Sequence, residues 1–180
     1  MKIEIRDARI EDVEIVAWTV LTALDLETDD MDRFIKTCTD ESTMYSWKNA
    51  IIAFVDGKAA GCLIAYEGRR YMEMRDRTWH ALWDNIDLDY LKKVEQETQE
   101  GDYYLDSMAI LPKYRGYNIG KLLLERGINK SKELGCETTS LIVSCQKPRL
   151  EAYYRSVGFT QFGEMEFFGH YYKKMRHQEH

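Results

Sequence analysis

The stretch Ile110-Leu111-Pro112-Lys113-Tyr114-Arg115-Gly116-Tyr117-Asn118-Ile119-Gly120-Lys121-Leu122-Leu123-Leu124 carries the decisive signals of this chain. A strand from Tyr103 to Ile110 stops at Leu111-Pro112, the chain turns through Gly116, Asn118 and Gly120, and helix signals run from near Ile119 to Leu134, with Gly135 as the C-cap. The first turn of such a helix has free backbone N–H groups and the positive end of a dipole, a ready-made anion site. Glycine permits positive φ and lets a phosphate approach the backbone, and Asn tolerates the left-handed region better than other residues with a side chain. Arg115 and Lys121 add positive charge on either side. A Walker loop is excluded, because Gly116 and Gly120-Lys121 are one residue too close and Leu122 lacks the hydroxyl. The glycine spacing also fails the dinucleotide fingerprint.

Outward from this junction, Thr138 to Ser144 reads as the next strand, and Pro148 opens a helix that ends at Gly158. From Phe159 onward two β segments form a terminal hairpin, over about residues 159–175. Toward the N-terminus, residues 2–6 read as a strand, and Ile10, Val13, Val16, Ala17, Val20 and Leu21 recur at helical spacing. A second helix is predicted from about Asp29 to Thr39. The strands 50–55 and 59–66 flank Asp56-Gly57, a hairpin turn signal. Residues 68–100 are charged and helix-prone, with one or two amphipathic helices, read as a cover over the sheet or a wall of an acceptor site. The order predicts a single α+β domain over residues 1–180, with a mixed, mostly antiparallel sheet rather than a doubly wound parallel one.

The composition, 44% hydrophobic and 31% charged over 180 residues, is that of an ordinary globular chain. A formal charge of -6 argues against general nucleic-acid binding. No apolar run approaches the roughly 20 residues of a membrane helix, and Met1-Lys2-Ile3-Glu4-Ile5-Arg6 alternates like a strand rather than a signal peptide. A cytoplasmic location is expected. Cys38, Cys62, Cys136 and Cys145 form no C-x-x-C pair and read as buried reduced thiols. His80, His170, His177 and His180 show no metal-ligand spacing, and the last two read as a frayed tail, so no metal site is expected.

The segment Arg115-Gly116-Tyr117-Asn118-Ile119-Gly120 resembles the acyl-CoA-binding motif Q/R-x-x-G-x-G/A of the GNAT superfamily of N-acetyltransferases, with Asn118 where the family usually has Gly. The flanks are similar too: Tyr104 to Pro112 resembles the strand before the family's loop, and Ala152-Tyr153-Tyr154-Arg155-Ser156-Val157-Gly158-Phe159 the later element that ends Y-x-x-x-G-F. The resemblance covers about residues 103–160. It implies acetyl-CoA as co-substrate, held between two splayed strands, about 103–110 and 138–144. The backbone of Met108, Ala109 and Ile110 would pair with the pantetheine arm, and the amides of Arg115, Gly116, Tyr117, Asn118, Ile119, Gly120 and Lys121 would hold the pyrophosphate. Lys147 stands where the family often has an Asn that contacts the cofactor.

The implied reaction is direct attack of an amine on the thioester, which needs a proton acceptor and a donor for the departing thiolate. Tyr154 matches the family's acid, with Tyr153 as the fallback in register. Asp106 is the candidate base or relay anchor, sharing one face with Met108 and Ile110 by period two. Some relatives carry a carboxylate where this chain has Tyr104, and a base from the first half, Asp25 or Glu27, is the alternative. Cys145 has no neighbouring His and is not read as a nucleophile. The acceptor pocket would come from about 22–34, 68–95 and 162–172, whose Asp25, Glu27, Asp29, Asp30, Glu73 and Asp76 suit a cationic amine on a small molecule, peptide or protein. An acyl-CoA-binding regulatory module without turnover is the competing function. The aromatic C-terminal strand could pair across a homodimer.

Overall fold

The computed structural model describes residues 1–177. Seven strands form one sheet in the order β1-β2-β3-β4-β5-β7-β6. They are β1 (Ile3–Asp7), β2 (Ala50–Val55), β3 (Lys58–Glu67), β4 (Asp102–Ile110), β5 (Thr138–Ser144), β6 (Phe159–Phe167) and β7 (His170–His177). Every neighbouring pair is antiparallel except β4 and β5, which run parallel. The Asp56-Gly57 turn joins β2 to β3 with both residues at positive φ, as a type I′ hairpin requires.

Helices cover both faces. On one lie α1 (Val13–Ala23), α2 (Met31–Thr39) and α3 (Tyr71–Leu82), whose Val16, Val20, Phe34, Tyr71 and Trp79 bury against Ile52, Cys62, Ile64, Tyr66 and Tyr104 of the sheet. On the other lies α5 (Ile119–Glu133), preceded in the chain by a short α4 (Leu88–Leu91), and then α6 (Pro148–Ser156). Helix α5 buries Ile119, Leu123, Leu124 and Ile128 at helical spacing against Leu63, Tyr103, Leu105 and Leu141. The sheet thus has an α1–α3 face and an α5–α6 face, and each carries its own core.

The sheet opens between its two parallel strands. Strand β4 pairs with β5 only at Asp102–Thr138, Tyr103–Thr139 and Tyr104–Ser140. Beyond Tyr104, β4 stays zipped to β3 as far as Ile110–Gly61, and β5 stays zipped to β7 as far as Ser144–Tyr172. The facing edges diverge into a V whose closed end is Tyr104.

Three expectations need correction. Asp106 does not share a face with Met108 and Ile110. The β3–β4 ladder places Leu105 opposite Ala65 and Ser107 opposite Ile64, so Asp106 is an extra, bulged residue. The bulge reverses the alternation: Tyr103 and Leu105 face α5, and so do Met108 and Ile110. Asp106 instead meets the α1–α3 face through Tyr66. His177 is no frayed tail: it lies in β7 with its ring 5.5 Å from Phe159, while His180 lies outside the described residues. Cys145 is exposed, just past β5, because the apolar run ends before it; Cys38 and Cys62 are buried as expected.

Candidate active site

The glycine loop forms the open end of the V. A short 3-10 turn, Pro112–Tyr114, lifts the chain off β4, and Arg115 ties it back by donating from Nε to the Ile110 carbonyl at 3.3 Å. Gly116 sits at φ 85° and Asn118 at φ 63°, so Asn118 adopts the left-handed conformation that a glycine would take there. Asn118 then becomes the N-cap of α5 without a side-chain hydrogen bond to the helix, which leaves the first-turn amides uncapped. Residues 115–118 are exposed and Lys121 is half exposed beside Glu125 at 3.7 Å. The left-handed turns and uncapped first-turn amides expected from the spacing lie open to solvent, with Arg115 and Lys121 on either side.

Gly120 is needed for a different reason. A β-carbon there would lie 2.9 Å from the Tyr153 hydroxyl. Helix α6 therefore approaches the start of α5 so closely that a side chain at position 120 would have to push the Tyr153 ring aside. Tyr153 occupies that contact, while Tyr154 turns onto the α5–α6 core, 6.1 Å from the Phe159 ring. Burial first, and the neighbouring Tyr153 second, push the Tyr154 phenol up to about 12. Lys147 is the exposed N-cap of α6 at the end of β5, its amide donating to the Ser144 carbonyl at 2.9 Å.

Across the sheet, the α1–α3 face holds a cluster that the sequence reading only half found. Asp106 accepts from the Tyr66 hydroxyl at 2.5 Å and from the Ser107 hydroxyl at 2.7 Å. Glu97, in the segment between α4 and β4, accepts from the Tyr104 hydroxyl at 2.8 Å and from the Tyr71 hydroxyl at 3.0 Å. Glu97 as a whole residue keeps some exposure, but its carboxyl is enclosed by the buried rings of Tyr71 and Tyr104. Burial, reinforced by the charge of Asp106, pushes Glu97 up to about 8, and burial also raises Asp106. Arg75, fully buried on α3, stacks 5.8 Å from the Tyr71 ring and 5.2 Å from the Trp79 ring.

Glu97, Tyr66, Tyr71 and Arg75 escaped the sequence reading. The tyrosines did carry a signal, since a buried tyrosine needs a partner for its hydroxyl. Asp25 and Glu27 are exposed and, with Trp18 and Thr28, line a groove of about 400 Å³ at the end of α1. None of the groups bonded to Asp106 or Glu97 lines that groove. Asp30 caps α2, and Asp76 pairs with Arg75 at 3.1 Å. Among the described residues no group of three His, Cys, Asp or Glu side chains could hold a metal ion, and no helix is long and apolar enough to cross a membrane.

The chain is similar to known acetyltransferase structures. An N-acetyltransferase from Staphylococcus aureus Mu50 matches at 24% identity with a TM-score of 0.79, over 96% of this chain and 99% of that one. Another acetyltransferase matches at 23% identity and the same TM-score of 0.79, over 97% and 98%. A PaiA N-acetyltransferase from Thermoplasma acidophilum, solved in complex with coenzyme A, matches at 16% identity and a TM-score of 0.59, over 99% and 100%. No curated protein matches the sequence. The model of the Acetyltransferase (GNAT) family matches residues 16–159, which span the splayed strands, the nest and the Tyr153-Tyr154 helix, so this chain belongs to the GNAT acetyltransferase family, whose reaction moves an acyl group from coenzyme A to an acceptor.

Proposed function

We propose that this protein is an N-acetyltransferase that moves the acetyl group of acetyl-CoA to a primary amine by direct attack in a ternary complex. The observation that carries the reading is the V between β4 and β5, with the uncapped start of α5 at its wide end and the Tyr104–Glu97 pair at its closed end. Beyond Tyr104 the facing edges of β4 and β5 have no ladder partner in each other. An extended, amide-bearing pantetheine arm can take the place of the missing strand along Met108, Ala109 and Ile110. The amides of residues 115–121, with Arg115 and Lys121, then hold the pyrophosphate. Lys147 and Tyr153, from the α6 side, add a cation and a hydroxyl to the cofactor's path.

The two faces divide the proton work. Tyr154 stands on the α5–α6 face and Asp106 on the α1–α3 face, which we assign to the acceptor. At about 12, Tyr154 keeps its proton throughout the neutral range. Complete transfer to a thiolate with a pKa of about 8.5 would be uphill by about 5 kcal/mol. Tyr154 therefore stabilises the departing sulfur as a hydrogen-bond donor, and the thiolate takes its proton from the tetrahedral nitrogen. Asp106, held by Tyr66 and Ser107, anchors the network on the amine side.

The test is release of free CoA across a panel of small amines, peptides and lysine-bearing proteins. Tyr154→Phe is expected to lower kcat roughly 10²-fold, in the range of one lost donor to a developing anion, with acetyl-CoA binding unchanged. Thermal stabilisation by acetyl-CoA without CoA release on any acceptor would replace the enzyme with an acyl-CoA-binding module. No stabilisation and no release would sink the coenzyme A site itself.

A further inference from the structure

At the closed end of the V stands a carboxyl group that the scheme above leaves without a task. We propose that Glu97 is the proton acceptor of the transfer, drawing the proton of the acceptor's ammonium group through the hydroxyl of Tyr104. This rests on the acetyl-transfer reading and assigns the group that makes the amine nucleophilic.

The placement argues for it. The nest lies at the C-terminal end of β4, so a cofactor arm laid along β4 from that end brings its thioester toward Tyr104, where β4 rejoins β5. The Tyr104 side chain faces the α1–α3 side, and its hydroxyl donates to Glu97 at 2.8 Å. The bulge at Asp106 separates the two kinds of surface: Met108 and Ile110 face α5, while Tyr104 and Asp106 face the acceptor side. The base and the sulfur-side Tyr154 thus lie on opposite faces of the opening, so each serves its own substituent of the tetrahedral carbon, the nitrogen on one face and the sulfur on the other.

The surroundings decide between the two carboxyls. Both carboxyls accept two hydrogen bonds, but those of Asp106, from Tyr66 at 2.5 Å and Ser107 at 2.7 Å, are shorter than those of Glu97, at 2.8 and 3.0 Å, and favour the charged form more strongly. With Asp106 charged, a second negative charge in the same low-dielectric cluster is disfavoured, which raises Glu97. Glu97 is the member left to exchange a proton near neutrality, where a general base works best. The groups that face it are Tyr104 and Asp106 from β4, Tyr66 from β3, Tyr45 from the segment before β2, Tyr71 and Arg75 from α3, and Tyr172 from β7. Arg75 is the cation among them, and its buried Nη1 has no hydrogen-bond partner among the described residues. It favours the ionised Glu97 without taking up its oxygens.

The step balances. The ammonium N–H bond breaks as its proton moves to the Tyr104 oxygen and the phenol proton moves to Glu97 Oε1. The neutral amine forms the N–C bond, the C–S bond breaks with its electron pair on sulfur, and the second nitrogen proton goes to the thiolate. Glu97 returns its proton to solvent.

The experiment is a pH profile of kcat/KM for wild type, Glu97→Gln and Tyr104→Phe, with the best amine from the panel. Wild type is expected to rise with pH to a plateau with an apparent midpoint near 8. Glu97→Gln keeps an acceptor for both tyrosines but cannot take a proton. It is expected to lose roughly 10²–10⁴-fold in kcat/KM together with the rising limb, with unchanged thermal stabilisation by acetyl-CoA. Tyr104→Phe keeps the ring, packed 5.8 Å from Tyr66, and removes only the relaying hydroxyl, so it is expected to show the same loss. Wild-type rates and an intact limb in both variants would overturn the assignment. So would a loss matched by loss of acetyl-CoA stabilisation, which marks a structural role. Wild type silent on every amine would sink this proposal together with the acetyl-transfer reading.

Discussion

Asn118 shows how one residue can break a motif and keep its geometry. The position demands φ near 63°, where a β-carbon ordinarily costs about 1–2 kcal/mol, and Asn is among the few side chains that tolerate it. Its side chain makes no cap to α5, so no capping hydrogen bond offsets that cost. Asn118→Ala is therefore expected to lower stability by about 1 kcal/mol, and Asn118→Gly to raise it by a few tenths, both read from urea denaturation. The same pair separates backbone from side chain in binding. If the nest acts through its amides, Asn118→Gly binds CoA at least as tightly as wild type by calorimetry. A tenfold weakening would show instead that the Asn side chain itself touches the phosphates.

At the scale of elements, the insert and the C-terminal hairpin hold each other. Trp79 of α3 packs 6.0 Å from Phe167 and 5.1 Å from Phe168, and Tyr90 of α4 lies 5.8 Å from Phe168. Lys174 of β7 adds an ion pair to Glu95 at 3.1 Å, half exposed and worth little beside the aromatic contacts. Trp79→Ala is expected to cost about 3 kcal/mol, at the low end for a buried aromatic. Its signature is faster amide exchange in 71–82 and in 166–171 together, with α5 unchanged. Exchange confined to α3 would mean that the two elements are not coupled. The strands and helices around this contact were legible because their periods, turns and caps are local: Asp56-Gly57, Asn118 and Gly135 each mark a boundary that the structure keeps. The bulge at Asp106 was not. A bulge is decided by what the partner strand offers, here Ile64 and Ala65, and Tyr104 to Ile110 reads as unbroken alternation without it. Glu97 was hidden for a related reason. It lies in a polar stretch with no period, and its two partners are Tyr71, in the helix before it, and Tyr104, in the strand after it.

For the whole molecule, the Glu97–Asp106 cluster on the α1–α3 face should set how stability depends on pH. A carboxyl raised to about 8 in the folded state and about 4.3 unfolded is protonated in the native protein and ionised in the unfolded chain between those values. The native state then binds more protons, so stability falls as pH rises from about 4.5 to 8 and levels off above. Asp106, also raised by burial, acts with the same sign. Glu151, held low by its hydrogen bonds to Lys173 and Arg155, and Asp40, held low by Ser42, act with the opposite sign. Their contribution is lost only as pH falls through the acid range below that window. The raised cysteines Cys38 and Cys62 and the raised tyrosines keep their protons in both states below pH 8. Wild type without ligand is accordingly expected to lose melting temperature steadily between pH 5 and 8. Glu97→Gln, which has no charge to desolvate, should lose much less over the same interval and be the more stable protein at pH 8. Parallel melting curves for the two proteins across that range would show that Glu97 is ionised in the folded state throughout, and that the cluster pays no desolvation for it.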